Sequence, residues 1–233
     1  PTLEDWLSAH TSALVAARRP VATSATRLAT EAAAAARHVA RMSAADDPGL
    51  AKGAKDIDLP PWQKGRYGSA IGRAVHAVLQ TVDLSTGAGL SAACAAQAAA
   101  EGVLGKEDVI EALARAALES DTVRVAARLR HWREVYVGVH WGDSELEGYI
   151  DLLYEDDAGL VVVDYKTDAW QTGIELDAKV QRYSVQLRAY AAAVREAVGQ
   201  NVTRAVLLFL RPGESVARDV DLTVDLVEAS YQA

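Results

Sequence analysis

Cysteine is close to absent from this chain of 233 residues, with Cys94 as its single copy. One thiol excludes an intrachain disulfide, a four-cysteine zinc site and a four-cysteine iron–sulfur cluster. Long apolar runs are missing as well. None approaches the ~20 residues that a membrane-spanning helix requires, so no membrane partner is expected. The first residues lack the basic-then-apolar order of a secretion leader, which makes an intracellular, cytoplasmic location the expectation. An initiator methionine is lacking too, and the sequence is expected to be a piece of a longer polypeptide. Hydrophobic residues, by contrast, make up 50% of the chain. That is enough for one sizeable core and excludes a disordered chain.

Basic charge is in deficit. The formal net charge of −8 argues against an ordinary duplex binder, which carries a basic footprint. The distribution is uneven, however. Between Gly142 and Asp177 the one basic residue is Lys166, set among many acids. Basic residues gather elsewhere: Lys64, Arg66 and Arg73; Arg124, Arg128, Arg130 and Arg133; Lys179, Arg182 and Arg188. A metal site needs the first kind of region and a phosphate track the second. Each cluster taken singly also reads as a solvated face.

The acidic region holds the informative stretch. Leu160 to Val163 is apolar and β-branched, a buried strand by pattern, and it runs straight into Asp164 and Lys166. Residues two apart on a strand share a face, so this carboxylate and this ammonium project together. They read equally as a structural ion pair at a strand end. The preceding segment places Leu146, Ile150, Leu152 and Tyr154 in one parity and Glu147, Tyr149, Asp151 and Leu153 in the other. This predicts a strand with a dry face and a mixed face. Residues 155–159 are a turn by composition, so the two strands form a hairpin. Pairing about a turn near Asp157 sets Asp151 opposite the Val163–Asp164 region. Converging carboxylates repel unless a cation lies between them, and oxygen ligands with open positions suit Mg²⁺ or Mn²⁺.

Gly148-Tyr-Ile-Asp151 followed by Val163-Asp-Tyr-Lys-Thr167 resembles the core of the PD-(D/E)XK nucleases in its RecB-family exonuclease form. Gly68-Ser-Ala-Ile-Gly-Arg-Ala-Val-His76 with Leu79 is similar to that family's helix bearing a metal-ligand histidine. Gln186 and Tyr190 resemble its Gln-x-x-x-Tyr helix. The resemblance implies an α/β fold, a restriction-endonuclease-like core with a mixed central sheet flanked by helices. It implies metal-dependent hydrolysis of DNA, single-stranded and supplied by a superfamily-1 helicase motor in the same or a partner chain. In that scheme His76, Asp151, Asp164 and the Tyr165 carbonyl hold Mg²⁺ or Mn²⁺. Lys166 orients or deprotonates water and offsets phosphoryl charge, while Gln186 and Tyr190 position Lys166 or the strand. Glu134 sits where family members often carry an acid, and a surface salt-bridge partner is an equal reading. Arg66, Arg73, Arg182 and Trp170 are candidate DNA contacts, though a half-buried loop aromatic is the commoner fate of a tryptophan such as Trp170. The rival reading is a non-catalytic DNA-binding or helicase-docking module that has kept the fold.

In chain order, a helix is expected over residues 1–19, with Leu3, Trp6, Leu7 and Leu14 at helical spacing and Thr2 as its cap. Residues 23–26 are expected to cap a second, alanine-rich helix to about residue 42, and residues 43–59 form a loop. Residues 1–60 are thus a helical N-terminal extension, and 61–233 the nuclease domain. The His76 helix spans 68–82, with Gly72 one turn before the histidine for close approach. Helices at 90–101, 107–120 and 122–129 form an insertion at about 85–130. Strands follow at 132–141, 202–210 and 216–224, with a long helix at 174–198 ended by Gly199. Tyr190 on that helix also reads as plain core.

Overall fold

The computed structural model describes residues 2–17, 22–25, 69–141 and 144–223. The expected second helix beyond Ala25, the loop after it and Arg66 lie outside these residues. Helix α1 spans Leu3–Ala17, and Thr2 caps it by accepting from the Asp5 N–H at 3.1 Å. Just ahead of the expected second helix, Ala22–Ser24 forms β1, paired in parallel with Glu145–Glu147, and the chain is already helical at Ala25.

Among the described residues the sheet has six strands, β1 with β2 (Arg130–Trp141), β3 (Ser144–Asp156), β4 (Gly159–Lys166), β5 (Val202–Arg211) and β6 (Glu214–Asp219). It is mixed. β4 and β5 are parallel, and β2–β3, β3–β4 and β5–β6 are antiparallel. One face is covered by α2 (Ala70–Thr81), α3 (Leu90–Ala100), α4 (Glu107–Leu118) and α5 (Asp121–Ala126). The other is covered by the long helix α6 (Gly173–Val198), which ends where Gly199 takes a left-handed φ of 68°. β4 and β5 are therefore buried on both faces, which explains their continuous apolar sequence. The helices expected as an insertion pack into this shared core: Leu90, Cys94, Ile110 and Val123 join Val161, Val163 and Val206.

One expectation is corrected. Leu146, Ile150, Leu152 and Tyr154 are all buried, but they do not share a face. Leu152 and Tyr154 enter the core beneath α2–α5, whereas Leu146 and Ile150 enter the core beneath α6. The switch falls between Ile150 and Leu152, at Asp151. Its partner strand switches at the facing position, where Glu134 has a φ of +49°. Trp132 and Val135, of opposite parity, both lie on the α6 side. A residue forced out of extended geometry rotates every side chain beyond it, so period-two reading fails across that point.

Candidate active site

The site is built where the sheet opens. Pairing of β3 with β4 runs from Asp156 opposite Gly159 to Leu152 opposite Val163, then stops. The next step of that register sets Asp151 against Asp164. β2 occupies the far edge of β3, so β1 must take the near edge, further along at Glu145–Glu147. Among the described residues, 148–151 thus have no strand beside them on that edge. Asp151 fills the gap with its side chain. Its Oδ2 accepts the Tyr165 N–H at 2.6 Å, replacing the missing ladder bond to a buried donor. Its Oδ1 meets His76 Nδ1 at 3.0 Å.

His76 arrives from α2, which Ser69 caps by accepting the Gly72 N–H at 3.0 Å. Gly72 allows the close approach: a Cβ there would stand 2.8 Å from Thr167 Oγ1, just past the end of β4. Ligand atoms of His76, Glu134 and Asp151 all lie within 4.8 Å of one another. Burial raises Glu134 to a pKa of about 7, with Asp151 adding to the shift. Burial alone would lower the imidazole of His76. The charge and hydrogen bond of Asp151, with Asp164 beyond, outweigh it and raise its pKa to about 9. Burial also lifts Asp164 above the ordinary carboxylate range, against the pull of Lys166.

Lys166 is held on three sides. Its Nζ lies 2.5 Å from Asp164 Oδ2, donates to Gln186 Oε1 at 2.9 Å, and sits 4.2 Å over the ring of Tyr183. Gln186 Nε2 in turn donates to the Tyr190 hydroxyl at 3.1 Å. The Tyr190 ring lies against Gly148, where a Cβ would come within 2.5 Å of Cε1. The Tyr183 hydroxyl donates to Asp168 Oδ2 at 3.0 Å. Despite the ion pair, the buried Asp164 Oδ2 receives no well-directed hydrogen bond. Two acids and an imidazole whose ligand atoms converge, with the Asp164 carboxylate alongside, are a donor set that fits a divalent cation of the Mg²⁺ or Mn²⁺ class.

The fold thus assembles His76, Glu134, Asp151, Asp164, Lys166, Gln186 and Tyr190 in one place. The candidate DNA contacts fare differently. Arg73 is paired with Glu101 at 2.8 Å between α2 and α3. Trp170 packs edge-on against Phe209 at 5.9 Å, with the Arg211 guanidinium over it at 5.1 Å. Arg182 lies beside the site, 5.3 Å from the Tyr183 ring that also faces Lys166. Arg133, counted with a basic cluster in the sequence, turns inward and donates to the Leu79 and Val82 carbonyls at the end of α2, at 3.2 and 2.5 Å. Sequence reasoning missed the role of Tyr183 and Asp168. A signal existed, because Tyr183 stands three residues before Gln186 and seven before Tyr190, on one helix face.

The chain is 30% identical, over an alignment of 176 residues, to an ATP-dependent helicase/nuclease subunit of Desulforudis audaxviator, covering 65% of this chain and 14% of that protein. The protein of the same name from Clostridium novyi is 36% identical over 69 residues, 30% of this chain and 5% of its own length. That from Thermoanaerobacter sp. is 40% identical over 58 residues, 25% of this chain and again 5% of its own. The matched stretch is thus a small part of each of these relatives. The profile of the PD-(D/E)XK nuclease superfamily matches residues 22–231, nearly the whole sequence, and the chain belongs to that superfamily.

Proposed function

We propose that this chain is the nuclease part of a helicase–nuclease and hydrolyses phosphodiester bonds of single-stranded DNA with Mg²⁺ or Mn²⁺. The observation that carries the reading is Lys166, fixed by Asp164, Gln186 and Tyr183 beside the His76–Glu134–Asp151 cluster. His76, Glu134, Asp151, Asp164 and the Tyr165 carbonyl would hold the cation. When bound, it supplies charge neutralisation at the phosphate and a more acidic water. Lys166 places its ammonium against the phosphoryl charge, where a preorganised cation stabilises the transition state more than the ground state. Gln186 and Tyr190 act as positioning residues, keeping Nζ aimed through two hydrogen bonds in series, with the Tyr190 ring packed against Gly148 of β3. The helicase motor, in the same or a partner chain, is proposed from the names of the relatives. The test is release of nucleotides from a labelled single strand, with Mg²⁺ and with EDTA. Metal-dependent cleavage that vanishes in Lys166→Ala supports the reading. Cleavage by that variant at the parent rate overturns it.

A further inference from the structure

Two large aromatic rings lie open to solvent on the sheet beside the site. Tyr136 is 56% and Tyr149 58% exposed, although their neighbours Val137 and Ile150 are buried. They are directly paired across β2 and β3, with ring centroids 5.4 Å apart and planes at 59°. Exposed aromatics of this size on a strand pair are costly to leave wet, and among the described residues no other exposed aromatics form such a pair on the sheet.

The rings are held in place. A Cβ on Gly138 would stand 2.9 Å from the Tyr136 hydroxyl oxygen and 3.3 Å from ring carbons, so this ring lies flat over the glycine. Its hydroxyl donates to Glu147 Oε2 at 3.3 Å, on the residue opposite Gly138. A ring fixed beforehand loses little freedom on binding. Position matters as much. Tyr136 is two residues from Glu134, and Tyr149 two from Asp151. Their Cα atoms therefore lie no more than about 7 Å from those of the site acids along each strand.

We infer that Tyr136 and Tyr149 form a stacking platform for an unpaired nucleobase next to the phosphate being cleaved, an assignment that rests on the DNA-nuclease reading above. Charge selects the base over the backbone. From Glu134 to Trp141 and along the whole of β3 there is no lysine or arginine, whereas Glu145 and Glu147 flank the rings. A phosphate finds no counter-charge there, while an uncharged π-face finds two. Bases within a duplex have their faces covered by neighbours, so the platform takes a single strand or a frayed end.

The test compares an ordinary labelled single strand with an abasic strand of equal length, by anisotropy, using the full chain and Ca²⁺ in place of Mg²⁺. The double variant Tyr136→Ala, Tyr149→Ala should bind the base-bearing strand about tenfold more weakly and the abasic strand about as well as the parent. Phenylalanine at both positions should restore binding, and Gly138→Val, which lifts the Tyr136 ring, should weaken it. An aminopurine base in the strand should be quenched by the parent and not by the alanine variant. Unchanged affinity for both strands overturns the platform and returns the rings to a protein-contact role. An equal loss on both strands also overturns it. A parent chain that binds neither strand overturns the nuclease reading itself, so the two failures are distinct.

Discussion

The Lys166 ammonium rests 4.2 Å above the ring of Tyr183. A cation over an aromatic face is stabilised by the ring quadrupole, more so when partly desolvated. Tyr183→Leu is expected to lower kcat roughly tenfold with little change in KM, the size of one such contact. Tyr183→Phe keeps the ring face and should retain most turnover, though it loses the bond to Asp168. Equal loss in both variants would assign the effect to the hydroxyl.

Lys166→Ala should lose turnover by on the order of 100-fold or more while remaining folded by circular dichroism. It leaves Asp164 buried without its counter-charge. Burial already lifts that carboxyl's pKa, so it can take a proton instead of unfolding the chain. The melting temperature of the variant should fall short of the parent's at neutral pH, and the gap should narrow in acid. A gap that widens in acid would mean that Asp164 stays ionised.

Metal binding should expel a proton. In the metal-free chain Asp151 keeps His76 protonated up to a pH of about 9, and a metal ligand must be the bare imidazole. The heat of Mn²⁺ binding near neutral pH should therefore depend on the ionisation enthalpy of the buffer. In EDTA, the stability that the raised His76 contributes is fully present below its ordinary value of 6.5 and is lost as pH rises through about 9. His76→Ala should flatten that decline and weaken Mn²⁺ affinity more than it lowers the melting temperature. A marked drop in melting temperature with unchanged Mn²⁺ affinity would make His76 a structural residue.

Gly148→Ala should act at a distance. Its Cβ would press within 2.5 Å of a rigid Tyr190 ring carbon. Overpacking of this kind costs about 1–3 kcal/mol. Displacing Tyr190 also disturbs Gln186 and through it Lys166, so turnover should fall along with thermal stability. Normal turnover in a destabilised Gly148→Ala variant would cut the relay out of the proposed mechanism.

Much of the site was legible because hairpin register is local. A turn at Asp157 with period-two strands determines that Asp151 meets the end of β4, and the pairing of Leu152 with Val163 has that register. Gln186 and Tyr190 were legible because a helix places residues four apart side by side. Glu134 was less so. Its partnership depends on a backbone reversal at φ +49°, which no alternation of polar and apolar residues encodes. The facing switch on β3, at Asp151, divides Leu146 and Ile150 from Leu152 and Tyr154. Tyr183 was hidden because an aromatic in an apolar helical stripe looks the same whether it packs against Phe209 or also receives a lysine; here it does both. Arg133 misled for the converse reason. Charge counts do not reveal that a guanidinium is spent on the carbonyls ending a helix.

The backbone at Glu134 sets two selective pressures against each other. A left-handed φ favours glycine or asparagine, and a glutamate held there is strained by roughly 1 kcal/mol. Its carboxylate is also half-starved of solvent beside Asp151. A mutant library screened for heat resistance alone should drift to glycine or asparagine at 134, each lacking the carboxylate. One screened for DNA cleavage should keep glutamate there and recover stability elsewhere in the sheet.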